Sequence, residues 1–469
     1  MLKNFKEFSR VFMSNAAVSA NVASLGKERV KPLKLLVLVN LLGKGGGTVR
    51  AIQSIEYYSK IGYQLATLFD YFNYIWSIRD GFEEVIRVYK KYGIVPVGYE
   101  KPAALIRIVD LFPRGKRWLY GNLGEFLYKF GLKKRVILAE RYKPDIIISF
   151  HEDIPYLRLA YEMKGLFFSP TISFLQSTPF YEDKSRVQNI EKACLLHRYM
   201  LLKGSWRYSI LRMYPELLGI RKHPLKESIE KIEALLKSLD MVIAISKGIP
   251  VEMGRAPRNL VYMDPGVSLD NNTLDLIEKV KTLNIPRGDY VAFIGRPMNC
   301  QKGLVEALIA FKYLIKEFPT LRLFIIGATS PRFKRSVYYF LRESLGISES
   351  KVIFTSFLSR EDLYKLIRGA RLVLYPSHAE AYPFAVLESL MLETPVVAYR
   401  IPALQIYYGN VERKGIWLVN EGDIEKLVGT AIEILELERR RDLKVEHPRI
   451  RPWDEIMREE IELINRVLR

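Results

Sequence analysis

The chain has 469 residues, 49% of them hydrophobic and 26% charged, and a formal net charge of +20. That length exceeds one ordinary core, so two domains are expected, and the composition is that of a globular protein. The basic balance points to an anionic partner: nucleic acid, an anionic membrane surface or a phosphorylated substrate.

Two cysteines, Cys194 and Cys300, are too few for a disulfide framework, which favours a reducing compartment. The first twenty residues mix charge with apolar side chains and lack the clean apolar segment of a signal peptide. No run reaches the roughly 18 to 20 apolar residues of a spanning helix. A soluble or peripheral protein is the expectation.

In chain order, residues 33–40 form a short apolar run ending at the glycine cluster Gly45, Gly46 and Gly47. Such a run predicts a buried parallel strand, with a helix following from about Thr48. Residues 144–150 and 241–246 predict two further strands. A second series starts after Pro286 with a strand at 290–295, a helix at 303–318 and a strand at 321–327. It continues with a strand at 371–377, a helix from about Pro383 and a strand at 395–399. Two runs of alternating strand and helix imply an α/β protein with two doubly wound parallel sheets. Ligands of such sheets bind beyond the carboxyl ends of the strands. The tail from Pro452 has helical spacing and predicts a final amphipathic helix. The expected division is an extension at 1–32, domains at 33–265 and 266–445, and a C-terminal helix at 446–469 that packs back on the first domain.

Four constellations carry chemistry. Glu380 follows a predicted strand and Glu388 lies eight residues on, in the helix opening near Pro383. The first-turn N–H groups of a helix form an anion site. A carboxylate within that helix can accept both hydroxyl hydrogens of a ribose diol, while one above its start can meet a phosphate-linked sugar. Two surface glutamates favoured by the helix dipole are the plain alternative. Arg296 and Lys302 flank a strand-to-helix loop, where a guanidinium fork and a point charge suit a diphosphate. Ordinary surface cations would look the same. The glycine cluster permits close backbone approach to a ligand, but GKGGGT lacks the order of a P-loop. His151 stands at a strand's carboxyl end, where a catalytic and a structural histidine are equally expected.

Together these residues resemble the retaining glycosyltransferases of family 4, which have the GT-B architecture: two doubly wound, Rossmann-like domains facing a cleft. Glu380 and Glu388 match that family's glutamate pair within a PS…E…LE…PVVA frame. Arg296 and Lys302 match its Arg…Lys-Gly loop, and His151 its histidine after a strand. Ser246-Lys247 and Pro265-Gly266-Val267 match two further segments, and the likeness runs over residues 33–456, including Trp453. The family has glycines where this chain has Ala381 and Pro383, and Leu404-Gln405 replaces a family Pro-Glu.

The resemblance implies that Glu380 contacts the donor sugar and Glu388 the ribose. Arg296 and Lys302 hold the diphosphate, Gly46 and Gly47 line the cleft, and His151 touches the transferred sugar. Tyr382, Pro383 and Phe384 complete the donor-binding segment. The implied activity is metal-independent transfer of a hexose from a nucleotide sugar, such as GDP-mannose or UDP-glucose, with retention of configuration. No cofactor and no metal is expected. The acceptor is a glycan or a lipid-linked saccharide at the cytoplasmic membrane face. A nucleotide-sugar epimerase, a hydrolase with paired carboxylates and a non-catalytic binder of nucleic acid or anionic membrane are the competing classes. Nucleic acid is not an expected partner, because no basic-aromatic signature of an RNA module is present.

One stretch points to a membrane. Residues 87–143 hold fourteen Lys or Arg against four Asp or Glu, a net +10. Within it, residues 117–143 interleave Trp118, Tyr120, Phe126, Tyr128 and Phe130 with cations, the composition of a membrane-surface helix. A solvated basic face over an aromatic core is the alternative.

Overall fold

The computed structural model describes residues 32–41, 46–69, 82–102, 134–138, 142–204, 225–356, 358–440 and 443–469. The first series of elements is β1 (Lys34–Leu38), α1 (Gly46–Lys60), β2 (Gln64–Phe69), α2 (Phe82–Lys91), β3 (Ile94–Pro102), β4 (Lys134–Leu138), β5 (Ile146–Ser149), α3 (Ile154–Phe167) and β6 (Thr171–Leu175). It continues through α4 (Lys184–Gly204), α5 (Leu225–Ser238), β7 (Met241–Ala244), α6 (Gly248–Met253) and β8 (Leu260–Tyr262). The second series is α7 (Asn271–Thr282), β9 (Tyr290–Ile294), α8 (Leu304–Glu317), β10 (Arg322–Ile326), α9 (Pro331–Phe340), β11 (Val352–Ser356), α10 (Arg360–Gly369) and β12 (Leu372–Tyr375). It ends with α11 (Phe384–Met391), β13 (Val396–Tyr399), α12 (Pro402–Tyr408), β14 (Ile416–Val419), α13 (Ile424–Arg439) and α14 (Trp453–Leu468).

Two sheets result, as the alternating pattern predicts. One has the strand order β4-β3-β2-β1-β5-β6-β7-β8 and the other β11-β10-β9-β12-β13-β14. The first sheet is not wholly parallel: β4 runs antiparallel to β3, with Val136 opposite Glu100 and Ile137 opposite Tyr99. Residues 134–138 are therefore a strand, and the membrane-surface helix expected over 117–143 does not extend through them. Two consecutive β-branched residues favour extended over helical backbone. The aromatic residues of that expected helix, Trp118 to Phe130, lie outside the described residues.

The central strands are apolar on both faces because helices cover both sides. Leu35, Leu36, Val37 and Leu38 of β1 and Ile146, Ile147 and Ile148 of β5 are fully buried. In the second sheet Val291 and Ala292 of β9 and Leu372, Val373 and Leu374 of β12 are equally buried. Helix α7 shows how the flanking helices are set locally. Asp270 caps it by accepting from the Thr273 N–H at 2.8 Å, and Thr273, Ile277 and Val280 form its buried stripe.

The chain divides into two compact units that are not contiguous in sequence. The first takes the described residues of 1–174, 235–242 and 462–469, and the second those of 175–234 and 243–461. Helix α4 thus belongs with the second series, although its last residue, Gly204, precedes the first of that series, Asn271, by 67 positions. It packs against α8 and α9, stacking His197 on Phe333 and setting Tyr199 edge-on to Phe340. Among the described residues, no helix is long and apolar enough to cross a membrane.

Candidate active site

In each sheet the strand order reverses direction once. The first chain segment runs outward from β1 through β2 to β3, then returns to β5 on the other side of β1. In the second sheet the reversal lies between β9 and β12. Crevices outside the carboxyl ends of strands at such reversals are where open α/β sheets bind ligands. The segments that follow these four strand ends hold Gly46 and Gly47 (opening the helix after β1), His151 (after β5), Arg296 and Lys302 (after β9) and Glu380 (after β12).

In the second unit the two loops are stitched together. Lys302 closes a short 3-10 turn, Cys300–Lys302, capped by Asn299, whose side chain accepts from the Gln301 N–H at 3.0 Å. Gly303 then adopts φ +71°, and a Cβ there would lie 1.9 Å from the Pro376 carbonyl oxygen. Only glycine permits both the backbone angle and the approach. The His378 N–H donates to the Gln301 carbonyl at 2.8 Å, joining the β12 loop to the same turn.

Glu380 is held at this junction. Its Oε1 accepts from Tyr375 Oη and Ser377 Oγ, each at 2.6 Å, and from Lys302 Nζ. Lys302 and Glu380 expose only 11% and 10% of their side chains, so this is a largely desolvated pair. Lys302 Nζ also donates to the Ala379 carbonyl at 3.1 Å. An ammonium has three donors, so a third remains for an anion. Burial, then the Glu380 charge, raises the Tyr375 hydroxyl well above its usual range, so Tyr375 acts as a donor. Arg296 has an exposed side chain, near enough to Tyr375 for its charge to oppose that rise.

Glu388 is carried by α11 and accepts from Tyr364 Oη at 2.8 Å. Burial raises its carboxyl to about 7, opposed by the Tyr364 hydrogen bond and the Arg360 charge and reinforced by Asp270. The helix opens at Phe384, as expected near Pro383, which caps it. The Pro383 carbonyl accepts from the Val386 N–H at 3.0 Å and from Tyr408 Oη at 3.0 Å. Pro383 thus takes no N–H from the helical turn itself. Tyr382 packs edge-on against Phe384 at 5.3 Å and against Tyr407 at 4.9 Å, forming an aromatic wall beside that cap.

The Ser246 and Pro265 segments reach the same region. Ser246 Oγ donates to the Ala381 carbonyl at 2.7 Å. Lys247 pairs with Asp264 at 2.8 Å, and Tyr407 Oη donates to Asp264 at 2.9 Å while accepting from the Lys247 N–H at 2.8 Å.

In the first unit, the Asn40 N–H donates to His151 Nε2 at 3.0 Å. That contact ties the loop after β1 to the loop after β5 and places the ring proton on Nδ1. Burial lowers His151 to about 4, so the imidazole is neutral at pH 7. Its one proton is available for donation, and its basic nitrogen is occupied. Gly46 and Gly47 open α1 two residues before the expected start near Thr48. Gly45 lies outside the described residues.

Several residues of the site have a weak sequence signal or none. Tyr375 and Ser377 stand within five residues of Glu380 and are readable from the strand end. Tyr364 meets Glu388 from a separate helix, and no local pattern announces it. Cys194 is the largest surprise. It forms a disulfide with Cys300, 106 residues away, a pairing that the cysteine count gave no reason to expect. Two cysteines that meet only through α4 packing look unrelated in sequence.

The fold is that of the GT-B glycosyltransferases. HepE of Anabaena, solved with UDP and glucose, is similar at TM-score 0.53 and 15% identity, over 92% of this chain and 99% of that one. Sucrose-phosphate synthase of Thermosynechococcus elongatus is similar at TM-score 0.55 and 13% identity, over 93% and 99%. Residues 277–447 match the model described as glycosyl transferases group 1. A D-inositol 3-phosphate glycosyltransferase of Mycobacterium sp. (strain KMS) is 32% identical over 156 residues, 32% of this chain and 34% of that protein. The counterpart of Mycolicibacterium smegmatis is 29% identical over 195 residues, 40% and 43% of the two. The chain spans about a third of the length of the first of these relatives.

Two predictions test this geometry. Without reductant, iodoacetamide should label neither cysteine, and intact mass should rise by two labels only after reduction; labelling of Cys300 in the unreduced protein contradicts the disulfide. The second concerns Glu388, whose folded pKa of about 7 exceeds its ordinary value. A raised pKa contributes stability that is present below the unfolded value and is lost as pH rises through the folded one. Urea midpoints of the unliganded protein should therefore fall between pH 5 and pH 8 more steeply for wild type than for Glu388→Gln. Parallel curves would show that the Glu388 proton is not coupled to folding.

Proposed function

We propose that the protein is a retaining glycosyltransferase that moves a hexose from a nucleotide-sugar donor to a glycan or lipid-linked acceptor. The observation that carries this reading is the junction at the β9–β12 reversal. There Lys302 and Glu380 share one largely buried contact, and the exposed Arg296 lies on the same loop as Lys302. Cations suit a diphosphate, and a carboxylate fixed by three donors suits a sugar hydroxyl. Support comes also from HepE, which was solved with UDP and glucose.

In this reading the donor diphosphate takes the third Lys302 donor and the Arg296 fork. Ribose hydroxyls donate to Glu388, whose carboxyl the nucleotide draws toward the ionised form, and the Tyr382–Phe384 wall flanks the donor. The bond between the sugar's C1 and its phosphate oxygen breaks as an acceptor oxygen bonds to C1 from the same face. The acceptor proton passes to the departing diphosphate, so no side chain needs to act as nucleophile. Negative charge grows on the diphosphate in that step, and preset cations stabilise it most in the transition state. In the first unit, neutral His151 supplies an Nδ1–H donor for a hydroxyl; with Nε2 occupied, it is not a general base.

A thermal-shift panel including UDP-glucose and GDP-mannose should identify the donor, since binding raises stability by RT ln(1 + [L]/Kd). Lys302→Ala should then lower turnover roughly a hundred- to thousandfold. Glu388→Ala should weaken binding of the nucleoside diphosphate. Glu380→Ala should spare that binding and depress turnover, and a Glu380→Ala enzyme with normal turnover would sink the assignment. Release of free sugar with no transfer to any acceptor would favour the hydrolase class.

The acceptor side of the proposal includes attachment to an anionic membrane, motivated by the net +10 over residues 87–143. Each Lys or Arg near such a surface contributes about 1 kcal/mol, attenuated by salt. In low-salt flotation, the protein should rise with anionic vesicles and much less with neutral ones. If it stays in the soluble fraction with both, a soluble acceptor becomes the better reading.

A further inference from the structure

Helix α4 brings one guanidinium, Arg186, into a buried cluster of ionisable groups that the reaction above does not use. Arg186 Nε and Nη2 donate to the two oxygens of Glu252 at 3.1 and 2.8 Å, and Nη1 pairs with Glu421. Nη2 also donates to the backbone carbonyl of His378 at 2.6 Å. The His378 imidazole, 2% exposed, lies between Glu306, 3.0 Å from Nε2, and Glu421, 2.7 Å from Nδ1. Asn189, one turn along α4 from Arg186, donates to Glu421 at 3.1 Å. The Tyr399 ring sits 5.1 Å from the imidazole.

An imidazole with a carboxylate at each nitrogen satisfies both only as the imidazolium, with two N–H donors. Burial pushes His378 down, and the hydrogen bonds to Glu306 and Glu421 more than reverse it, leaving it above the usual histidine range. The cluster therefore fixes the ring. The Arg186 bond fixes the backbone of the same residue. On its other side, the His378 N–H is bonded to Gln301, within the turn that ends at Lys302. One peptide segment is thus held from both directions, two residues before Glu380.

We propose that Arg186 is a positioning residue for the donor site. By pinning the His378 carbonyl and backing the Glu421 that grips the His378 ring, it sets the place of the Glu380 carboxylate without touching the donor. A fork-shaped guanidinium is the side chain that can do this, because it serves Glu252, Glu421 and a carbonyl at once. Lysine delivers a point charge and cannot span the three. The inference rests on the reading of Glu380 as the contact for the donor sugar.

Removing Arg186 alone leaves buried carboxylates without their partner, and such a variant can fail to fold. The test therefore pairs Arg186→Met with Glu252→Met, which removes the closest carboxylate together with the cation, and adds Arg186→Lys as the conservative variant. UDP-glucose and GDP-mannose serve as donors, UDP and GDP as binding probes. In the double variant, turnover should fall about tenfold or more while affinity for the nucleoside diphosphate stays within about twofold. Arg186→Lys should recover part of the turnover. Turnover equal to wild type in the folded double variant overturns the proposal, and so does diphosphate affinity that falls in step with turnover. Hydrogen exchange followed by mass spectrometry gives a readout that needs no donor. Peptides covering residues 376–383 should exchange faster in the double variant, with those of α8 unchanged. Unchanged exchange over 376–383 rules out the positioning role by itself. A wild type inert to both donors, with faster exchange in the variant, would instead discard the donor assignment and retain the Arg186 clamp.

Discussion

The second unit depends on one contact: the Lys302 ammonium and the Glu380 carboxylate, which shares an oxygen with Tyr375 and Ser377. Two desolvated charges persist only where hydrogen bonds satisfy them well. That requirement explains the neighbourhood. Gly303 lets the Lys302 turn press against Pro376, and the His378 N–H stitches the second loop to the first. The loops after β9 and β12 therefore behave as one piece. A site built this way is preorganised, since a cation and a carboxylate are held in place before any ligand arrives.

The two reversals of strand order give the molecule two such places, and they are chemically different. The β9–β12 reversal gathers charge. The β1–β5 reversal gathers small residues and one neutral histidine, whose Nε2 is bound by the Asn40 N–H. Burial acts in opposite senses on the two titrating groups, as it must for an acid and a base. It raises Glu388 to about 7 and lowers His151 to about 4. In both cases the neutral form is favoured in the unliganded protein. Glu388 stands near its midpoint at neutral pH, so a ligand that donates hydroxyls can move it to the charged form at little cost.

Helix α4 shows how a distant segment contributes to this unit. It brings Arg186 to Glu252, Glu421 and the His378 carbonyl, and Cys194 to Cys300. Of these contacts, the His378 carbonyl and Cys300 lie on the two loops that carry Glu380 and Lys302. The helix itself is held by stacking on α9, through His197 and Tyr199. Packing energy far from the chemistry is thereby converted into precision at the loops.

The elements that sequence determined by itself are those whose signal is local. The apolar runs at 33–40, 144–150, 241–246, 290–295, 321–327, 371–377 and 395–399 each became a strand within a few residues of the expected bounds, because a strand buried on both faces must be apolar throughout. Strand-to-helix loops at those carboxyl ends, and hence Glu380, Arg296, Lys302 and His151, follow from the same alternation. Glu388 follows from the helix after it. What sequence could not decide are the pairings made across long intervals: Tyr364 with Glu388, Arg186 with His378, and Cys194 with Cys300. The antiparallel edge strand β4 and the membership of α4 in the second unit are of the same kind. Each of these depends on which surfaces meet after the sheets form, and residues on separate elements, from 24 positions apart for Tyr364 and Glu388 to 192 for Arg186 and His378, leave no periodicity between them by which the contact can be read.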